Sequence, residues 1–211
     1  MVTVDWLAIT SVNSFPPMKT SQALVALILA SGVAQAAVFN FSATLTGAAE
    51  IPSVTTLGTG LALFAYDSTA HTLDYNVSFS GLTGNTTASH IHAGVNAGGN
   101  NGVATQIPSF TGFPLNVTSG TFVRTVDLTL PASWNAAYIT ANGGTPAGAE
   151  AALFAAMNSN RAYLNIHTTF AGGGEIRGYL TPVPEPATTA AVGAGLLGAF
   201  ALVRRARASS K

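Results

Sequence analysis

The sequence predicts an all-β protein: an antiparallel Greek-key β-sandwich with one or two short helices, set between an N-terminal signal helix and a C-terminal transmembrane helix. Three observations lead there. Between Val38 and Leu180 the apolar residues mostly recur at every second position, the period of a strand with one buried face. These runs are short and separated by Gly, Asn, Asp and Ser clusters, which punctuate hairpins rather than long helices. Both ends carry unbroken apolar stretches with basic residues beside them, the pattern of segments directed to a membrane.

The elements follow in order. Val38 to Leu45 alternates cleanly and reads as the first strand. Gly60 to Tyr66 is the second, Asp67-Ser-Thr-Ala its turn, and Thr72 to Phe79 the returning hairpin partner. Ser89 to His92 is a short strand, followed by a Gly- and Asn-rich loop over Gly94 to Gly102. Gly120 to Leu130 alternates again. Pro131-Ala-Ser-Trp134 opens a short helix that a glycine ends near Asn142-Gly143. Trp134 and Tyr138, spaced i and i+4, belong to the core. Pro146 to Asn158 is alanine-rich and helical. Ala162 to His167 and Glu175 to Leu180 supply the last strands, giving about six or seven in all, as a sandwich needs.

The ends divide the chain further. Residues 1–17 read as an extension ahead of the true start at Met18. Residues 18–37 form a signal peptide: Lys19 is its charge, Ala23 to Ala30 its apolar run, and Ala34, Ala36 and Ala37 mark the cleavage region for signal peptidase. That run is too short to cross a ~30 Å hydrocarbon core. Residues 38–180 are the sandwich, and 181–211 a tail. In the tail, prolines stiffen Thr181 to Pro186, Ala187 to Val203 is uncharged and near the lower spanning limit of roughly 17 residues, and Arg204 and Arg205 stay cytoplasmic. Pro184-Glu185-Pro186, the apolar stretch and the arginines together resemble the PEP-CTERM sorting signal. The resemblance implies an exosortase-type processing enzyme as partner, transient residence in the inner membrane facing the periplasm, and then the cell surface or exterior.

Composition excludes several functions. The chain has Cys 0, so disulfides, thiolate metal sites and cysteine catalysis are ruled out. Only 8% of residues are charged, against roughly 25% in an ordinary soluble chain. Between Val38 and Thr181 the acids outnumber the arginines Arg124, Arg161 and Arg177, so no basic face is available for nucleic acid. No Gly-x-Ser-x-Gly elbow, clustered carboxylate pair or phosphate-cradling loop occurs.

Three separated segments carry a second resemblance. Phe41 to Pro52, Ser89-His-Ile-His-Ala-Gly94, and Tyr163 to Thr168 followed by Gly174 to Gly178 are similar to the CHRD domain, named from chordin. It implies an immunoglobulin-like or superoxide-dismutase-like sandwich over Val38 to Leu180, without an established activity.

One constellation carries chemistry. His90 and His92 stand two apart on a predicted strand, so both rings project from one face with Cα atoms roughly 6.5–7 Å apart. Neutral imidazoles suit copper or zinc, and His167 lies on a strand that a sandwich brings alongside. The His-x-His-x-Gly pattern with a later strand histidine is similar to copper–zinc superoxide dismutases. That likeness implies His90, His92 and His167 as copper ligands and Arg177 as an anion guide. The departures are a missing fourth ligand, for which only His71 remains, and no second cluster for zinc. Left open is a structural role: histidines bonded to strand ends, and Arg177 paired with a carboxylate such as Glu175. The expectation is therefore a non-enzymatic envelope or matrix protein that binds an extracellular polysaccharide or matrix protein; the alternative is a copper- or zinc-binding domain using the three histidines.

Overall fold

The computed structural model describes residues 38–184. The signal region with Ala34, Ala36 and Ala37, and the tail from Glu185 through Pro186 and the apolar stretch to Arg204 and Arg205, lie outside the described residues. The strands are β1 (Val38–Thr46), β2 (Thr59–Asp67), β3 (Thr72–Ser80), β4 (Thr86–Ala93), β5 (Gly120–Asp127), β6 (Ala162–Thr168), β7 (Ile176–Tyr179) and β8 (Thr181–Pro182); the helices are α1 (Ala136–Ala141) and α2 (Pro146–Met157). No helix among the described residues is long and apolar enough to cross a membrane.

Alternation decides the first three strands. In β3, Leu73, Tyr75, Val77 and Phe79 are buried while Asp74, Asn76 and Ser78 face outward. β2 repeats the pattern in register, with Tyr66 opposite Leu73 and Phe64 opposite Tyr75. The turn between them closes because Asp67 Oδ1 accepts from the amides of Thr69 and Ala70, both at 2.8 Å.

All strands join one antiparallel sheet in the order β4-β6-β7-β1-β2-β3-β5. It curls so that the inner faces of β1-β2-β3-β5 and β4-β6-β7 share one core, the expected sandwich. The chain leaves the first half after β3, lays β4 at the far edge, returns for β5 and crosses back for β6, a Greek-key path. The halves meet where Thr46 of β1 pairs with Arg177 of β7, and β8 adds to β1 at Ser42 and Phe41. Phe41, Leu45, Phe64 and Tyr75 from one half pack with Ile91, Leu164, Ile166 and Ile176 from the other. Each such side chain contributes about 1.5–3 kcal/mol on burial.

Four boundaries differ from the sequence reading by more than one residue. The helix expected from Pro131 breaks: Pro131–Ser133 is a 3-10 turn, and α1 starts only after Asn135, whose side chain accepts from the amide of Ala137. The cause is tertiary: Trp134 is buried, stacks on Tyr138 and donates its indole N–H to the Leu128 carbonyl. The helix does end at Asn142, with Gly143 at φ +91°. β4 begins at Thr86, earlier than expected, because its pairing partner is β6 rather than its own hydrophobic pattern. β5 stops at Asp127, whose side chain turns the chain by accepting from the Thr129 amide and hydroxyl. Thr181–Pro182, expected as spacer, pairs as β8.

β6 is buried on both faces apart from a half-buried His167. Ala162, Leu164 and Ile166 line the core, and the opposite face lies under the loops that follow β1 and β4. That second, polar face is where the chemistry collects.

Candidate metal centre

Register places the residues. His90 pairs with Asn165 and His92 with Tyr163 across β4 and β6, and His167 lies opposite Ala88. Across β6 and β7, Asn165 meets Arg177 and Tyr163 meets Tyr179. Since pairs directly opposite share a face, all eight side chains project from the outer surface of this half-sheet. The ring centroids of His90, His92 and His167 form a nearly regular triangle with sides of 5.8, 5.1 and 5.8 Å.

Backbone carbonyls set the tautomers. Nε2 of His90 lies 2.7 Å from the carbonyl of Pro108, Nδ1 of His92 2.9 Å from that of Asn101, and Nδ1 of His167 3.0 Å from that of Gly172. A carbonyl only accepts, so each of these nitrogens carries the proton. The remaining nitrogens, Nδ1 of His90 and Nε2 of His92 and His167, therefore present lone pairs. The three residues converge: one ligand atom from each lies within 4.8 Å of the other two. Nδ1 of His90 and Nε2 of His167 stand 3.3 Å apart, two acceptors face to face with no proton between them. Nε2 of His92 is buried and without a hydrogen-bond partner. A bare buried acceptor costs about 1–3 kcal/mol, a cost that a shared cation removes. An ion held at ~2.0–2.1 Å by three nitrogens sets them roughly 3.3–3.6 Å apart, so the His90–His167 pair is already in place.

Burial keeps the rings uncharged. Desolvation lowers the pKa of His90 and of His167, against the opposing carbonyl bonds. For His92 desolvation is again the main cause, and the pKa falls to about 4. Neutral imidazole is the metal-ligating form.

The loop over residues 94–102 holds His92 in place. Asn101 anchors it, donating from Nδ2 to the carbonyls of Asn96 and Arg161 and accepting at Oδ1 from the Asn96 amide. Gly94 is needed there, because a Cβ would stand 2.5 Å from Asn101 Oδ1. The hydroxyl of Tyr179 donates to the carbonyl of Gly99. The loop is thus bolted down by amides.

Arg177 is 1% exposed. Its Nε donates to the Ala49 carbonyl and its Nη1 to Asn100 Oδ1 at 2.7 Å, and Glu50 lies 3.6 Å from Nε. The guanidinium rests 4.6 Å from the centre of the Tyr163 ring, whose plane stacks on His92 at 4.8 Å. Glu50 itself is buried; desolvation raises its pKa to about 7 despite the lowering effect of Arg177 and the Asn165 amide.

The pairing of Arg177 with Glu175 is corrected: its partner is Glu50. Glu175 precedes β7, after Gly174 at φ +128°, and turns to the other side. There its carboxylate accepts from the hydroxyls of Thr56 and Thr168 and the amides of Thr83 and Gly84. Burial alone would raise its pKa, but these four bonds lower it. His71 joins the carboxylate of Glu150, which also accepts from the Tyr66 hydroxyl, and is not part of the histidine triangle. Glu50 and Tyr163 fall within the segments similar to the CHRD domain, but no signal in the sequence assigned them a role; Asn101 and the three orienting carbonyls were not marked at all.

This polar layer lies within residues 41–180, which match the family model of the CHRD domain, and residues 182–205 match the PEP-CTERM protein-sorting motif. The chain belongs to the CHRD domain family. It is, further, an exported protein handled by exosortase-type sorting machinery. No curated protein and no solved structure gives a match to it.

Proposed function

We propose that this exported sandwich is a non-enzymatic binding module whose ligand is a metal ion, copper or zinc, held by His90, His92 and His167. The observation that carries the reading is the convergence of three imidazole lone pairs, each fixed by a carbonyl on the far side of its ring, with Nε2 of His92 buried and unpartnered. Carbonyls that accept from the far ring nitrogen orient ligating histidines and raise their basicity. Arg177 acts as a structural brace, tying the loop after β1 to the loop after β4. His71 is engaged by Glu150 and stands apart from the group, whose donors among the described residues are the three histidines.

The delivery route follows from the two ends. Signal peptidase cuts near Ala34, Ala36 and Ala37; the tail then holds the sandwich on the periplasmic side of the inner membrane. Exosortase acts near Pro184, Glu185 and Pro186, with Arg204 and Arg205 inside, and releases the domain to the cell surface or exterior. There an extracellular polysaccharide or a matrix protein is its neighbour. The test is the metal content of the purified protein after dialysis against micromolar copper or zinc. One ion per chain, lost in the H90A/H92A variant, supports the reading; no retained metal removes it.

A further inference from the structure

We infer that this centre selects monovalent copper over divalent zinc, because an uncharged three-nitrogen donor set backed by a buried guanidinium suits a singly charged ion. The inference rests on the metal-binding reading and sharpens it.

The argument is one of charge and of ligand number. All three donors are neutral rings, and no carboxylate joins the group among the described residues. A bound ion therefore keeps its whole charge. The nearest described fixed charge behind the donors is itself positive. Arg177 lies under the Tyr163 ring, 4.6 Å from its centre, and that ring stacks on His92 with planes only 7° apart. Guanidinium, phenol ring and metal ligand thus form one stack. Glu50 is the acid that compensates Arg177, 3.6 Å away, and at most it cancels the guanidinium. Nothing is left over to offset the ion.

Coulomb repulsion and the cost of desolvating an ion both grow with its charge. A divalent ion is therefore penalised more than a monovalent one at the same spot. Ligand number acts in the same direction. Zinc takes four ligands, from the protein in structural sites and with a water or substrate in catalytic ones. This chain offers three nitrogens, so zinc must recruit an outside ligand, preferably an anion. A filled-shell monovalent copper ion is content with three nitrogens.

The test uses the purified full-length chain under anaerobic, reducing conditions, offered equimolar copper(I) and zinc(II) in limited amounts with chelators of known affinity for each. The expected result is at least tenfold more copper than zinc on the protein. Equal or greater zinc occupancy would overturn the selection while leaving the metal centre intact. Retention of neither ion would remove the metal reading, and the selection with it. An E50Q variant adds a second readout, since it strips the acid from the guanidinium. Zinc affinity should then fall severalfold more than copper(I) affinity. An equal fall in both would contradict the charge argument, and the wild-type competition decides the question even where the variant does not fold.

Discussion

Acidification discriminates sharply between this centre and three ordinary surface histidines. A free imidazole, with a pKa near 6.5, is about 90% protonated at pH 5.5, so a metal that displaces the proton binds roughly tenfold more weakly there than at pH 7.5. Three such ligands acting together lose about 10³-fold, or ~4 kcal/mol. In this protein the His92 ring is desolvated and its pKa stands at about 4, so at pH 5.5 only ~3% of it is protonated and its share of the loss nearly vanishes. His90 and His167 are displaced in the same direction by the same burial. The affinity between pH 7.5 and 5.5 should thus fall by less than ~10²-fold. The assay is a chelator competition at stepped pH, corrected for the chelator's own protonation. A three-decade loss would refute the account of rings held neutral by burial and carbonyl bonds.

Other outcomes follow from the same geometry. Glu50 has a folded pKa of about 7, so its contribution favours the folded state fully below the unfolded value near 4.5 and is lost as pH rises through 7. Relative to E50Q, the wild type should therefore lose up to about 3 kcal/mol of stability between pH 4.5 and 7.5, read by denaturant unfolding of metal-free protein. In E175Q, an amide donor must face partners that are themselves donors, two of them fixed backbone N–H groups. A loss of about 3 kcal/mol in unfolding free energy is expected; a change below ~0.5 kcal/mol would contradict the carboxylate's role. Asn101→Ala releases the loop whose carbonyl orients His92, and metal affinity should drop about 10-fold or more with the fold retained.

The strands were legible because period-two alternation is a direct imprint of burial, as in Leu73, Tyr75, Val77 and Phe79. The histidine pair was legible for the same reason: positions two apart on a strand must share a face. His167 required only that β6 lie beside β4, which the sandwich supplies. What stayed hidden depends on backbone and on loops. The carbonyls of Asn101, Pro108 and Gly172 that fix the tautomers leave no side-chain signature. The Glu50–Arg177 pair spans β1's trailing loop and β7, whereas spacing alone pointed to Glu175. The break before α1 reflects the buried indole of Trp134, a tertiary demand that overrode local helix propensity.

X-ray absorption on the metal-loaded wild-type protein most directly tests the proposed centre. Three nitrogen scatterers at about 2.0 Å, with the outer-shell pattern of imidazole rings, are the predicted result. Loaded metal surrounded by oxygen alone, or imidazole scattering undiminished in the H90A/H92A variant, would contradict it.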